Sequence, residues 1–194
     1  MRIIAGEHRG RRLLPPPGDT TRPITDRAKQ SLFDVLSPRL EGAVVADLFS
    51  GTGSMGLECL SRGAAMAHFF EADRGALQAL KQNIETLRVG DRAKVHAGDL
   101  FKLAPRSLPD AGTDILFLDP PYRFLVERPD ALQALAEALV TRLKPGGLIS
   151  FRHDTADALA LPPFTTARTL TYGSMTIELL QLPTPPSQDP SPAS

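Results

Sequence analysis

The feature that most constrains what this 194-residue chain can fold into is a short apolar run, Ala43-Val44-Val45-Ala46-Asp47-Leu48-Phe49. It breaks into Ser50-Gly51-Thr52-Gly53-Ser54-Met55-Gly56 and resumes as a helical stretch from Leu57 to about Arg62. The order is strand, glycine-rich turn, helix. Glycines at such a turn permit positive φ and let the backbone approach a ligand closely at the helix N-terminus.

A second strand, Met66-Ala67-His68-Phe69-Phe70, ends in Glu71. It lies about 20 residues beyond the first glycine, where a Rossmann-type fold places the carboxylate that holds a ribose. The details argue against a nicotinamide dinucleotide, because Gly51-Thr52-Gly53 lacks the full phosphate-binding fingerprint and no Gly-x-x-x-x-Gly-Lys run occurs in the chain. A ligand with a ribose but no phosphate fits better.

Further on, Asp114-Ile115-Leu116-Phe117-Leu118 reads as a buried parallel strand closed by Asp119-Pro120-Pro121-Tyr122. Two consecutive prolines fix φ and remove two N–H donors, so the backbone cannot continue the strand and its carbonyls are free to accept. Such a corner suits the handling of a nucleobase. An exocyclic amine is a poor nucleophile because its lone pair is delocalised into the ring, and acceptors gripping its hydrogens help localise that pair. Asp119 and the Pro120 carbonyl are the expected acceptors, and Tyr122 the stacking surface for a flipped base. The competing reading is a strand-ending turn with a core tyrosine.

The formal net charge of zero conceals an uneven distribution: residues 1–40 carry eight basic and four acidic side chains, so this segment is +4 and the remainder −4. Within it Arg9-Gly10-Arg11-Arg12 is the densest cluster, on a stretch that reads as a small hairpin arm. Arg9, Arg11, Arg12, Arg22, Arg27 and Lys29 are the expected RNA contacts, against the alternative of a solvated basic surface. Pro15-Pro16-Pro17-Gly18 forms a stiff connector to a helix from about Thr25 to Leu36, with Thr25 as N-cap and Leu32, Phe33 and Leu36 on its apolar face. Helices are also expected over Ala76 to Leu87 and Ala131 to Leu143. The latter is ended by Lys144-Pro145-Gly146-Gly147 before a strand from Leu148 to Phe151. Two β-prone runs, Thr165 to Thr171 and Met175 to Leu180, flank Tyr172-Gly173-Ser174 as an antiparallel hairpin, and the Pro/Ser-rich segment from 183 to 194 reads as a disordered tail. Apolar runs all fall far short of the 18 residues of a membrane span and no signal peptide is evident, so a cytoplasmic address is expected. Cys59 stands alone and reads as a core residue, and His8, His68, His96 and His153 lack metal-ligand spacing, so no metal is expected.

Taken together, these motifs resemble a known family. Asp47-x-Phe49-x-Gly51-x-Gly53 resembles the S-adenosyl-L-methionine loop of class I methyltransferases. Arg2-Ile3-Ile4-Ala5-Gly6, Arg9-Gly10-Arg11, Arg22-Pro23-x-Thr25-Asp26, Leu32-Phe33, Leu57-Glu58-x-Leu60-Ser61-Arg62-Gly63-Ala64 and Phe117-Leu118-Asp119-Pro120-Pro121-Tyr122 extend the likeness over roughly residues 1 to 180. They are similar to the bacterial RsmD-type 16S rRNA guanine-N2 methyltransferases. Ile24 interrupts the usual Arg-Pro-Thr, Gln30 stands where the family often has Glu, and the tail has no counterpart.

The resemblance implies an α/β, Rossmann-like fold: a seven-stranded, mostly parallel sheet with an antiparallel C-terminal hairpin, plus a small N-terminal β-hairpin arm and helix. It divides the chain into a basic, RNA-contacting segment (1–40), the methyltransferase domain (41–182) and the tail (183–194). It implies S-adenosyl-L-methionine as cofactor, held by Asp47, Phe49, Ser50, Gly51 and Gly53, with Glu71 on the ribose, Asp99 on the adenine amine and Leu100 or Phe101 on the adenine face. The catalytic corner is Asp119, Pro120, Pro121 and Tyr122. The partner is 16S rRNA within a small-subunit particle, with neither membrane nor metal involved. Two rival readings share some of these features: a DNA adenine-N6 methyltransferase, which has the same corner but needs a recognition insert, and a catalytically silent RNA-binding assembly module, which the intact Asp47, Glu71, Asp99 and Asp119 oppose.

Overall fold

The computed structural model describes residues 1–15 and 24–183. Most of the proline connector, Arg22 and nearly all of the tail lie outside the described residues. Helix α1 (Asp26–Leu36) starts where Thr25 Oγ1 accepts the Ala28 N–H at 3.2 Å, with Asp26 in its first turn. There follow β1 (Val44–Leu48), α2 (Ser54–Ser61), β2 (Met66–Glu71), α3 (Arg74–Leu87), β3 (Ala93–Ala97), α4 (Leu100–Ser107) and β4 (Thr113–Leu118). The chain continues through α5 (Arg123–Glu127), α6 (Pro129–Leu139), β5 (Leu143–Asp154), β6 (Thr165–Tyr172) and β7 (Met175–Gln181).

The seven strands form one sheet in the order β3-β2-β1-β4-β5-β7-β6. The first five run parallel, while β7 lies antiparallel to both β5 and β6. Strand order therefore reverses between β1 and β4, and in open α/β sheets that switch point is where ligands bind, beyond the carboxyl ends of the strands. The C-terminal hairpin closes through Gly173-Ser174, with Gly173 at φ +60°.

Alternation along the strands sorts the core into two layers. Val45, Phe69, Ile115, Phe117, Leu148 and Ile177 face α1, α2 and α3, whereas Ala46, Leu48, Phe70, Leu116, Leu118, Ile149 and Phe151 face α4 and α6. Ile3 and Leu13 of the arm and Leu32, Phe33 and Leu36 of α1 belong to the first layer, so the first 40 residues do not pack as a separate unit. The arm is a short antiparallel loop closed by the Arg2–Arg12 bridge and bonded along α2. The Glu58 carboxylate accepts the N–H groups of Ile4 and Ala5, and Ser61 accepts those of Glu7 and His8 through its carbonyl and hydroxyl. A Cβ on Gly6, which has φ +82°, would sit 1.7 Å from the Ser61 carbonyl oxygen, so glycine is obligatory at this contact.

Several elements depart from sequence expectation. Strand β5 begins at Leu143, so Lys144-Pro145-Gly146-Gly147 lies in its irregular start, with a register shift against β4, rather than in a loop after a helix. The preceding helix stops at Leu139, and α2 begins at Ser54, three residues early. Helices α4 and α5 were not anticipated. No helix among the described residues is long and apolar enough to cross a membrane.

Candidate active site

Glycine loop and corner emerge from the neighbouring strands β1 and β4, at the switch point. Parity along each strand sends Asp47, Glu71 and Asp119 toward the side of the sheet covered by α1 and α2. Asp47 is buried, and its carboxylate accepts the Gly56 N–H at 2.9 Å across the loop. Burial pushes its carboxyl up to about 8; the Gly56 N–H opposes that rise, and the nearby Asp119 and Glu71 carboxylates add to it. Among the described residues no cation is bonded to Asp47. Three acids thus converge where one charge is already costly.

The loop is wound by positive φ at Phe49 (+60°), Gly51 (+54°) and Gly53 (+87°), the last serving as N-cap of α2. Phe49 is the residue for which that conformation is strained, and its ring is held edge-on by Phe101 at 5.9 Å and Phe124 at 5.8 Å. Ser50 is buried, its N–H and hydroxyl both donating to the Phe70 carbonyl, so it ties the loop to β2. Glu71 makes a similar tie. One carboxylate oxygen accepts the Gly51 N–H at 2.7 Å and the other accepts those of Ala72 and Asp73, each at 2.8 Å. Asp99 stands half-exposed at the carboxyl end of β3 as the N-cap of α4, accepting the Phe101 N–H, with Leu100 buried behind it.

At the corner Pro120 is buried, Pro121 exposed and Tyr122 half-buried. Asp119 has a partner that sequence reasoning missed. Arg152 of β5 donates Nε to one carboxylate oxygen at 2.7 Å and Nη2 to the other at 2.6 Å. Its charge is held above its ordinary range by that carboxylate, with Tyr122 and Asp47 contributing, against the opposing effect of burial. The signal for Arg152 lies in strand register: Leu118 is opposite Phe151, so the next residue on each strand meets the other.

The basic residues separate into two kinds. Arg9, Arg11, Arg12 and Arg27 are exposed and take part in no ion pair among the described residues. Lys29 does not belong with them. It is 2% exposed, and its ammonium donates to the Ser54 hydroxyl at 3.1 Å and the Arg2 carbonyl at 3.3 Å and lies 3.0 Å from the fully buried Glu58 carboxylate. A lysine so enclosed cannot reach a phosphate, which corrects its expected RNA role. Arg62 joins the same carboxylate at 2.8 Å. Lys29, the Ile4 N–H and Arg62 hold Glu58 below the usual carboxylate range although burial acts the other way, while burial lowers the Lys29 ammonium against the pull of that carboxylate. Cys59 is fully buried, as its place in the sequence implied. His68 Nδ1 and His96 Nε2 lie 3.1 Å apart in the opposite layer, and no cluster of three His, Cys, Asp or Glu side chains among the described residues is arranged to hold a metal.

The comparisons with known proteins agree with this geometry. The family model "Conserved hypothetical protein 95" matches residues 1–181. Ribosomal RNA small subunit methyltransferase D of Haemophilus influenzae is 36% identical over 186 residues, covering 93% of both chains. The Escherichia coli K12 protein of that name is 42% identical over 123 residues, 63% of this chain and 61% of its own. Among solved structures, the Escherichia coli protein yhhF superposes with a TM-score of 0.79 at 33% identity, covering 94% of this chain and 97% of that one. An RNA methyltransferase of Salinibacter ruber, solved with S-adenosyl-L-homocysteine, shares the fold at a TM-score of 0.64 and 18% identity, covering 87% of this chain and 98% of that one. A family match over nearly the whole chain, on a sheet whose switch point carries both diagnostic loops, makes this protein a member of the conserved hypothetical protein 95 family, the RsmD-type methyltransferases.

Proposed function

We propose that this methyltransferase transfers a methyl group from S-adenosyl-L-methionine to the exocyclic N2 amine of a guanine in 16S ribosomal RNA. The observation that carries the reading is the convergence of an acid-lined glycine loop and the Asp119-Pro120-Pro121-Tyr122 corner at adjoining strand ends. The loop fits this cofactor on chemical grounds. Asp47 is a buried carboxyl raised by burial and by two further acids, and the cofactor's sulfonium and ammonium supply the missing positive charge. Glu71, anchored by three backbone N–H groups, keeps lone pairs for the ribose hydroxyls, and Asp99, with Leu100 and Phe101, flanks the adenine.

When bound, the cofactor supplies a methyl carbon activated by sulfonium: as the N–C bond forms, the C–S bond breaks and its electron pair returns to sulfur. The chain's own residues do the rest by positioning. Asp119 and the Pro120 carbonyl accept the two amine hydrogens, which turns the nitrogen lone pair out of the ring plane toward the methyl. Asp119 then receives, or passes to water, the proton that the methylated nitrogen loses. Tyr122 stacks on the base, a contact typically worth roughly 1–3 kcal/mol. Arg9, Arg11, Arg12 and Arg27 take phosphates of the surrounding RNA.

The test is transfer of labelled methyl from S-adenosyl-L-methionine to unmodified small-subunit RNA, naked and in assembled particles, followed by nucleoside mass analysis. N2-methylguanosine is the expected product. Label appearing only on adenine of duplex DNA, or on neither nucleic acid, would refute the proposal.

A further inference from the structure

An open hollow of about 350 Å3 lies between the arm and the C-terminal end of α3, lined by Glu7, His8, Arg11, Thr86, Leu87 and Arg88. It is no part of the catalytic corner. Helix α3 starts beside Glu71, where Asp73 caps it, and its 14 residues at about 1.5 Å each carry Arg88 about 20 Å from the carboxyl edge of the sheet. Charge decides what the hollow can take. Arg11 and Arg88 are exposed, and neither guanidinium has a partner among the described residues. The one acid in the lining, Glu7, is offset by Arg92 at 3.3 Å. At the helix end the Ile84 and Glu85 carbonyls are already taken by the Val89 and Arg88 N–H groups, so they do not oppose an anion. The volume falls at the low end of the ~300–1,000 Å3 of small-ligand sites, and no Phe, Tyr or Trp in the lining offers a stacking face, so the hollow suits a sugar and its phosphate rather than a base. The wall is unfinished at His8, whose buried Nε2 has no hydrogen-bond partner among the described residues.

Both arginines are presented by fixed backbone. The His8 N–H donates to the Ser61 hydroxyl at 2.9 Å and the Arg11 N–H to the His8 carbonyl at 3.1 Å, which ties this side of the hollow to α2. On the other side Arg88 has φ +56°, the left-handed position past a helix end that glycine or asparagine ordinarily fills. A long cationic side chain there is carried at a cost in backbone strain, and strain of this kind clusters at functional positions. We propose that the hollow is a remote RNA-backbone site, in which Arg11 and Arg88 together grip one phosphodiester of the ribosomal RNA away from the nucleotide being methylated. The inference rests on the reading that RNA is the substrate. The target nucleotide's own phosphates lie one sugar from its base, so the phosphate held here belongs to another nucleotide, and the arm and α3 fix its distance from the catalytic corner.

Arg88→Gly is the decisive variant. It removes the guanidinium and relieves the positive φ, so it should melt no lower than the parent; Arg88→Asn, also tolerant of that conformation, decides the matter if it does. Each protein is titrated at several salt concentrations with a long small-subunit RNA fragment and with a minimal one that carries only the target loop. On the long fragment the Arg88 variant should lose roughly tenfold in affinity, the low end for a lost hydrogen bond to a charged group, and its salt slope should flatten by up to about 0.7–0.9. On the minimal fragment it should bind like the parent. Arg11→Gln should behave similarly, and the double variant should lose less than the sum of the two, because both side chains hold one phosphate. Parent-like affinity and salt slope in a well-folded Arg88 variant, equal losses on both fragments, or strictly additive losses would overturn the proposal. Ribose 5-phosphate distinguishes a free sugar phosphate from the RNA backbone: saturable, Arg88-dependent binding of it with RNA affinity unmoved would also overturn it. A parent that neither binds nor methylates small-subunit RNA would overturn the functional reading itself, and this proposal with it.

Discussion

Replacing Lys29 with methionine separates a structural lysine from an RNA-binding one. Methionine has similar length and leaves little cavity, so the effect isolates the charge. Glu58 has four donors: the Lys29 ammonium, Arg62 Nε and the Ile4 and Ala5 N–H groups. Removing one partner from a buried pair costs about 3–5 kcal/mol because the other charge stays buried and uncompensated. Here three donors remain, one of them the Arg62 cation, which places the loss near the lower end, about 3 kcal/mol. Against a typical total of roughly 5–15 kcal/mol this is a large fraction, and for a domain of this size it lowers Tm by roughly 6–12 °C. The assay is urea unfolding of parent, Lys29→Met, Glu58→Gln and the double variant, followed by RNA titration of whichever variants stay folded. In the double variant the two losses should be less than additive, since each partner's absence removes the other's penalty. A Lys29→Met protein that loses less than about 1 kcal/mol but binds RNA markedly less well would refute the burial argument and restore Lys29 to the RNA surface.

The misassignment of Lys29 shows what periodicity does and does not reveal. Positions 29, 32, 33 and 36 form one stripe of α1, and the last three were read as the buried face, so the spacing itself placed Lys29 in the core. Its charge argued the other way, and the decisive fact, a carboxylate at Glu58 amid the apolar face of α2, is long-range. The loop after β1 was legible because an apolar run ending in Gly-x-Gly permits few conformations, and the C-terminal hairpin because Gly173 punctuates two β-prone runs. Arg152 was hidden because its role depends on β5 lying beside β4 in a particular register, which no local pattern encodes. Helix α5 is only five residues long and follows two prolines, and α4 carries Pro105 in its body, so neither offers the periodic signal of a longer helix. The start of β5 was misplaced because Pro145 and two glycines ordinarily end an element, whereas here an irregular strand edge accommodates them.

Two further outcomes are expected. Neutralising Arg9, Arg11 and Arg12 together to glutamine should leave the melting temperature unchanged, because none of the three forms an ion pair among the described residues. It should also flatten the salt dependence of RNA binding by about 0.7–0.9 per lost phosphate contact; equal salt slopes in parent and variant would move the RNA surface elsewhere. The pH dependence of stability should trace back to Asp47. With its carboxyl raised from 3.8 to about 8, the folded state holds a proton between those values that the unfolded chain releases. The unfolded state then binds fewer protons, so stability falls as pH rises, by up to about 1.4 kcal/mol per pH unit, and levels off above pH 8. His68 acts in the opposite sense. Burial and its neighbour His96 lower it from 6.5 to about 4, so in that window the unfolded state binds the extra proton and stability rises with pH. Between about pH 4 and 6.5 the Asp47 decline and the His68 rise oppose each other, with His96, also lowered by burial, adding to the rise, and the Asp47 decline remains from 6.5 to 8. Urea unfolding across pH 4 to 9 should therefore show no decline up to about pH 6.5 and a fall beyond it, and Asp47→Asn should abolish the fall while exposing the rise that His68 and His96 contribute; an Asp47→Asn protein that still loses stability between pH 6.5 and 8 would show that the decline does not come from this carboxyl.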